Sequence, residues 1–241
     1  MKNTIVGVDL AKRVIQACVV KNNKVVSNEE IAADDFSAWL ANMKPTIVVF
    51  EACGTSNYWK QIALELGHDA RLISAKLVSK IRQHQKTDKN NALAIAQSSQ
   101  LADINFIQGK TFQQQELQSI MRMRALAVKH KIAIRNQLEA LLLEFNIKVS
   151  PRVGGISGVI ESVLEDAENG FCPSFREALD STWKIYLYTV QDIKEKEKLL
   201  ERVIRAHPEC KKRLDLEGVS PLHAVNLYLS IGCGDIGVFQ S

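Results

Sequence analysis

Thr4-Ile5-Val6-Gly7-Val8-Asp9 is a short, almost wholly apolar run closed by an acid. Apolar β-branched runs of this length read as buried strands. The acid at the exit puts a carboxylate at the edge of whatever sheet the strand joins. Gly7 carries no side chain beside Asp9, which suits close approach by backbone or ligand. Outward from this run, Val14 to Val20 and Lys24 to Ile31 read as two further strands, and Asn22-Asn23 supplies the turn between them. The three neighbours make an antiparallel meander.

The pattern then alternates. Asp34 or Asp35 is placed to cap a helix reaching about Met43, with Phe36, Trp39 and Leu40 on one face and Pro45 as its stop. Thr46 to Phe50 is a continuous apolar strand with Glu51 at its exit. A helix from Tyr58 to Leu66 ends at Gly67, and Asp69 to Ile73 is a short strand. A helix from Lys76 leads into Lys86-Thr87-Asp88, and another runs from about Asn90 to Leu101. The order βββ, α, β, α, β, α predicts an α/β domain: a mixed sheet with flanking helices, as in the RNase H-like fold.

After Gly109 the character changes. In residues 113–145, Leu117, Met121, Ala125, Val128, Ile132, Leu138, Leu142 and Phe145 recur at spacings of three and four, with Arg135 as a polar break. A second long helical pattern spans about 175–206 through Phe175, Leu179, Trp183, Tyr186, Val190, Ile193, Leu200 and Val203. Ser150 to Gly155 reads as a loop between them, and Pro208 ends the second helix. Helices this long predict an antiparallel hairpin, or a coiled coil that doubles as a dimer surface. From Leu214 to Gly232 the sequence has a short helix–turn–helix look, with Gly218 and Pro221 in the turn. The expected division is 1–109 for the α/β domain, 110–212 for the long helices, and 213–241 for the start of a small helical C-terminal domain.

Composition narrows the function. With 46% apolar and 24% charged residues, the 241-residue chain is an ordinary globular sequence. No apolar run approaches the roughly 20 residues of a membrane span, and the first strand is too short for a secretory signal, so a cytoplasmic setting is expected. The five cysteines are scattered without a Cys-x-x-Cys pair, which argues against structural zinc. The histidines have no metal-ligand spacing. Net charge is +4, unevenly spread. Arg71 to Lys89 holds six Lys/Arg against one acid, and Arg122 to Arg135 holds five against none. Such stretches fit a polyanion, though either alone also reads as a solvated helix face.

Three acids stand out by position: Asp9 and Glu51 at strand exits, and Asp88 at a helix start. Acids on neighbouring strand ends can converge at one sheet edge, with a helix packed on the sheet supplying the third. Hard oxygen ligands of this kind suit Mg²⁺ or Mn²⁺, and two such ions about 4 Å apart can promote phosphodiester cleavage. Each acid alone also reads as a cap or turn residue. Gly54-Thr55-Ser56 resembles a helix entry able to hold a phosphate, or a plain N-cap.

At these residues the sequence resembles a known family. Ile5-Val-Gly-Val-Asp9-Leu-Ala-Lys12, Val48-Val-Phe-Glu51-Ala-Cys-Gly54-Thr-Ser-Asn-Tyr58-Trp59 and Lys86-Thr87-Asp88-Lys-Asn-Asn91-Ala92 are similar to the motifs of the DEDD transposases of bacterial insertion sequences. These are bridge-RNA-guided recombinases related to Piv-type DNA invertases. Leu216 to Val225 and Ser230 to Phe239 resemble the opening of that family's C-terminal domain. The resemblance implies a RuvC-like nuclease domain, a coiled coil serving dimerisation and RNA binding, and a C-terminal domain with a serine nucleophile. It implies Mg²⁺ or Mn²⁺ as cofactor, donor and target DNA and a structured guide RNA as partners, and a homodimer or higher oligomer.

It also implies an acidic tetrad at Asp9, Glu51, Asp88 and the position of Asn91, where the family has an acid. The amide removes one negative charge, so metal affinity should fall. Ser220, Ser230 and Ser241 do not sit in the serine motif, which the resemblance places beyond this sequence; the expectation is a truncated chain unable to complete recombination alone. Candidate nucleic-acid contacts are Lys12, Lys76, Lys80, Arg82, Lys86, Arg122, Arg124, Lys129, Lys131 and Arg135. The alternatives are a RuvC-type nuclease acting alone and a catalytically disabled nucleic-acid-binding remnant. A sugar or acetate kinase on the related actin-like fold would need Gly/Thr-rich phosphate loops that are not found.

Overall fold

The computed structural model describes residues 4–83, 85, 87–101, 104–206 and 220–231. The chain divides into two compact units, Met1–Phe112 and Gln113–Ser241.

In the first unit, β1 (Thr4–Leu10), β2 (Val14–Lys21) and β3 (Lys24–Ala32) form the expected meander. Asn22 and Asn23 turn it with φ of 52° and 59°. Two successive left-handed residues make the tight turn whose twist matches the flanking strands, and asparagine tolerates that backbone. β4 (Ile47–Glu51) and β5 (Asp69–Ile73) complete a five-stranded sheet of order β3-β2-β1-β4-β5. β2 runs antiparallel to β1 and β3, while β4 and β5 run parallel to β1. That mixed order, with helices on both faces, is the RNase H-like arrangement.

The strand period of two sorts the core. Val6, Val8, Val48 and Phe50 face one side, where Phe36 and Leu40 of α1 (Phe36–Ala41) and Ala63 of α2 (Ser56–Glu65) cover them. Val49, Ile73, Cys18 and Val20 face the other, under Val78 of α3 (Ala75–Ile81) and Ala92, Ala94, Ile95 and Ala96 of α4 (Asp88–Ser98). Buried His68 ties the first layer together: its Nδ1 accepts from the Thr46 N–H at 3.3 Å and its Nε2 reaches the Leu40 carbonyl at 3.1 Å. Asp35 occupies the N-cap position of α1, but its side chain makes no capping bond. Its backbone is already α-like, which turns the carboxylate away from the N–H groups it was expected to cap.

The second unit is helical. α5 (Phe112–Glu144) and α7 (Pro173–Ala206) are the two long helices. Leu138 and Leu142 of α5 pack with Leu179 and Trp183 of α7, while Leu117 packs with Leu200 and Ile204, so the pair is antiparallel. On α5 the expected stripe is buried at Leu117, Leu138 and Leu142 and fails elsewhere. Ala125, Ile132 and Phe145 are exposed, and Ala127 is buried in the middle of the helix instead.

The expected loop at Ser150 to Gly155 holds a 3-10 turn (Pro151–Val153), and the residues after it, for which no element is expected, form α6 (Gly155–Glu165). Ile156, Val159, Ile160 and Val163 insert into the core between the long helices. Glycines 155 and 158 and Ser157 lower helix propensity and mask that pattern in the sequence. Arg176 closes the C-terminal end of α6, donating to the Val163 and Leu164 carbonyls at 3.1 Å each and to the Asp166 and Phe171 carbonyls. Pro221, expected in a turn, is instead the first residue of α8 (Pro221–Ile231), a position where its missing N–H costs nothing. Pro208, Gly218 and most of the expected C-terminal domain lie outside the described residues. Among the described residues no helix is long and apolar enough to cross a membrane.

Candidate active site

β1 and β4 are parallel neighbours in the register Gly7–Val49 and Val8–Phe50, so Asp9 and Glu51 are the next residues along each strand. The two acids therefore leave the sheet side by side. Both are half-buried, on the face that carries Gly7 and Val49, which is the face under α4.

Gly7 sets the height of that helix. A Cβ there would stand 2.2 Å from the Ala92 carbonyl oxygen and 2.5 Å from the Ala96 nitrogen. No other residue type fits, so α4 lies directly on β1 with Ala92 and Ala96 as its contact surface. The helix begins where Thr87 Oγ1 accepts from the Asn90 N–H at 3.2 Å, an N-cap that fixes the first turn. The close seat brings Asn91, only 5% exposed, to the strand exits.

Asn91 Nδ2 donates to Glu51 Oε2 at 2.9 Å, and its Oδ1 accepts from Arg82 Nη1 at 3.1 Å. The chemistry of the partners fixes the amide's orientation. A guanidinium can only donate and a carboxylate can only accept, so the carbonyl end must face Arg82 and the NH₂ end Glu51. In this arrangement Asn91 is a hydrogen-bond donor to Glu51, and its oxygen accepts from Arg82.

The other candidates scatter. Asp88, first residue of α4, is exposed, and among the described residues no three His, Cys, Asp or Glu side chains gather closely enough to hold a metal ion. Lys12, in the β1–β2 turn, and Lys76 and Lys80, on α3, are exposed; Arg82 is turned into the site. On α5, Arg122 and Lys129 are exposed and Lys131 is half-buried. Arg124 pairs with Glu197 at 2.9 Å and Arg135 with Glu139 at 2.8 Å. Lys86 lies outside the described residues. Ser56 Oγ is spent on the turn before α2, accepting from the Cys53 N–H and donating to the Cys53 carbonyl.

Two polar residues at the site were not singled out by sequence. Gln16 lies opposite Asp9 in the β1–β2 register and is 2% exposed. Its Nε2 donates to Asn28 Oδ1 at 2.8 Å, and Asn28 Nδ2 donates to the Lys89 carbonyl of α4 at 3.0 Å. Gln16 Oε1 is buried with no hydrogen-bond partner among the described residues. The available signal was one amide inside the apolar run from Val14 to Val20, on the strand paired with Asp9. Two carboxylates leaving neighbouring parallel strands are hard-oxygen donors that fit a divalent cation of the Mg²⁺ or Mn²⁺ kind, and the orphaned Gln16 oxygen on the strand paired with β1 is an acceptor in want of a polar partner.

The chain is 30% identical over 229 residues to the transposase for insertion sequence element IS1111A of Coxiella burnetii, covering 95% of this chain and 63% of that protein. It is 27% identical to a probable family 20 transposase of Pseudomonas aeruginosa, covering 94% of this chain and 68% of that one. It is 26% identical to the transposase for insertion sequence element IS1328 of Yersinia enterocolitica, covering 96% and 69%. The chain thus spans less than two thirds of the length of the Coxiella relative. A Thermus thermophilus RuvC structure overlays with a TM-score of 0.35 and 12% identity, over 43% of this chain and 99% of that one. Residues 6–147, more than half of the sequence and the whole of the candidate site, match the transposase family described as DEDD_Tnp_IS110, and the chain belongs to that family.

Proposed function

We propose that this chain is the RuvC-like and helical part of an insertion-sequence transposase that cuts DNA phosphodiesters with Mg²⁺ or Mn²⁺ at Asp9 and Glu51. The observation that carries the reading is the emergence of these two acids side by side from parallel strands, with Asn91 joined to Glu51 at 2.9 Å. When bound, a divalent cation supplies Lewis acidity: it screens phosphate charge and makes an oxygen nucleophile easier to deprotonate. Asp9 and Glu51 provide the negative charge that holds the cation. Asn91 aligns Glu51, and Arg82 aligns Asn91 while adding a positive charge near the cleaved phosphate. Asp88, exposed one helical turn before Asn91, completes the set when DNA is bound. Lys12, Lys76 and Lys80 contact the DNA backbone, as do Lys86 and the basic residues Arg122, Arg124, Lys129, Lys131 and Arg135 of α5.

The finer readings rest on the motif resemblance, with support from the helices. Recognition is guided by a structured RNA, the fold divides at 1–109, 110–212 and 213–241, and the family's serine nucleophile is not assigned to any residue here. The protein works as a homodimer or higher oligomer in the cytoplasm. Exposed apolar residues along the long helices, Met123, Leu126 and Ile132 on α5 and Ile185 and Tyr188 on α7, support a coiled-coil interface.

The test is Mn²⁺ binding by calorimetry to wild type and Asp9→Ala. Loss of binding in the variant is expected; equal binding in both would refute the assignment. A second reading, a catalytically disabled nucleic-acid binder, is favoured by one observation: Asn91 already satisfies Glu51 without a cation. Tight DNA or RNA binding without cleavage, with cleavage appearing in Asn91→Asp, would select it.

A further inference from the structure

Gln16 is buried at a place where an apolar residue would be the simpler choice. Its neighbours Ile15, Ala17, Cys18, Val19 and Val20 are all buried and apolar. An amide oxygen withdrawn from water without a partner carries a desolvation penalty that an apolar side chain of similar size would not. Such an atom calls for a reason.

The orientation of the amide is settled by a relay. Asn28 Nδ2 donates to the Lys89 carbonyl in the first turn of α4, so Asn28 presents Oδ1 to its other neighbour. Only the Nε2 end of Gln16 can donate to that oxygen, which it does at 2.8 Å. Asn28 belongs to β3, which takes the Nε2 end of Gln16; on the other flank of β2, Asp9 of β1 stands opposite Gln16 in register. Gln16 shares the sheet face of Cys18, which packs against Ala92 and Ala96 of α4. The residue that carries the unpartnered oxygen thus shares the sheet face of the two acids and stands opposite Asp9.

We propose that Gln16 is a positioning residue of the Asp9–Glu51 site: its Oε1, aimed by Asn28 and anchored on α4, accepts a hydrogen bond from a water in the hydration shell of the bound cation. This rests on the metal reading above. A neutral oxygen suits the role, because Mg²⁺ and Mn²⁺ sites of few carboxylates retain several waters, and groups that orient those waters set affinity.

The test is Mn²⁺ affinity, by electron paramagnetic resonance titration, together with thermal unfolding in EDTA. Gln16→Leu is expected to weaken Mn²⁺ binding about tenfold while its unfolding temperature in EDTA stays level or rises. Those opposite signs separate a functional acceptor from a structural one. Asn28→Leu changes a half-buried residue and leaves Gln16 itself in place; it is expected to weaken binding about threefold by freeing the Gln16 amide, which keeps the idea testable if Gln16→Leu fails to fold. Gln16→Glu restores an acceptor and should bind Mn²⁺ at least as tightly as wild type. Wild-type affinity in Gln16→Leu or in Asn28→Leu, with binding abolished in Asp9→Ala, overturns the role of Gln16 and leaves the metal site standing. Undiminished binding in Asp9→Ala, or none in wild type, overturns both.

Discussion

Asn91→Asp is the substitution that most directly interrogates the site. In the present arrangement the amide donates to Glu51, a hydrogen bond to a charged group that contributes about 2 kcal/mol. An aspartate has nothing to donate. It places a second carboxylate against Glu51, and two like charges about 4 Å apart repel by about 4 kcal/mol at the effective dielectric of a partly buried site. Arg82, at 3.1 Å from the position 91 oxygen, recovers part of this as an ion pair, about 3 kcal/mol. The balance is a loss of about 3 kcal/mol in the absence of a cation, or about 10 °C in unfolding temperature for a unit of this size.

A divalent cation reverses the sign of the carboxylate pair from liability to ligand. At a hundredfold excess over its Kd it returns about 2.7 kcal/mol, nearly the whole deficit. The assay is tryptophan fluorescence melting in EDTA and in Mn²⁺, in a Trp183→Phe background so that only Trp39 and Trp59, both packed on the sheet core, report. The expected pattern is a large Mn²⁺-dependent rise for Asn91→Asp and a smaller one for wild type. Equal melting of both proteins in EDTA, or an equal rise in both on adding Mn²⁺, would refute the claim that the Asn91 amide donates to a charged Glu51.

Three further outcomes are expected. Gly7→Ala should lift α4 from β1, since the new Cβ would meet the Ala92 oxygen at 2.2 Å; a cost of about 3 kcal/mol or more and loss of Mn²⁺ binding are expected, and an unchanged melt would contradict the packing. Arg176→Lys keeps the charge but cannot fork to the carbonyls of residues 163, 164, 166 and 171, so the helical unit should lose about 2 kcal/mol, read from Trp183 fluorescence. Burial pushes the Cys18 thiol up to about 11, whereas Cys53 and Cys172 are exposed. In a Cys210→Ser, Cys233→Ser background, a thiol reagent at pH 8 should label the latter two and spare Cys18. Because the folded pKa is the higher one, Cys18 favours the folded state fully below about pH 9, and that contribution is lost as pH rises towards 11.

The sheet was legible because its signals are local. Period-two burial, two asparagines in a left-handed turn and an acid at the exits of β1 and β4 are written in consecutive residues. The pairing of Asp9 with Glu51 followed from strand order alone. What sequence did not yield depended on contacts between distant segments. Gln16 acquires meaning only through the register that sets it against Asp9 and through Asn28, twelve residues away. α6 was hidden by its own glycines, and its apolar face is recognisable only once α5 and α7 bracket it. Arg82 read as one more cation in a basic stretch, yet its hydrogen bond to Asn91 places it in the site.

The two polar chains at the site share a design that bears on how it works. One runs from Arg82 through Asn91 to Glu51; the other runs from the Lys89 carbonyl through Asn28 to Gln16. Both depend on the first turn of α4, and α4 is seated by its contact with Gly7. The strands therefore supply the carboxylates, but the helix decides how they are presented. A site ordered by its own scaffold loses little conformational entropy when a ligand arrives, so more of the binding energy is retained. The same scaffold makes the site sensitive to one atom. Exchanging an oxygen for nitrogen at position 91 gives Glu51 a permanent donor, and any cation that binds must displace or tolerate it. Changes at Asn91 should therefore act on metal affinity through Glu51, and changes at Gly7 should act on both chains at once.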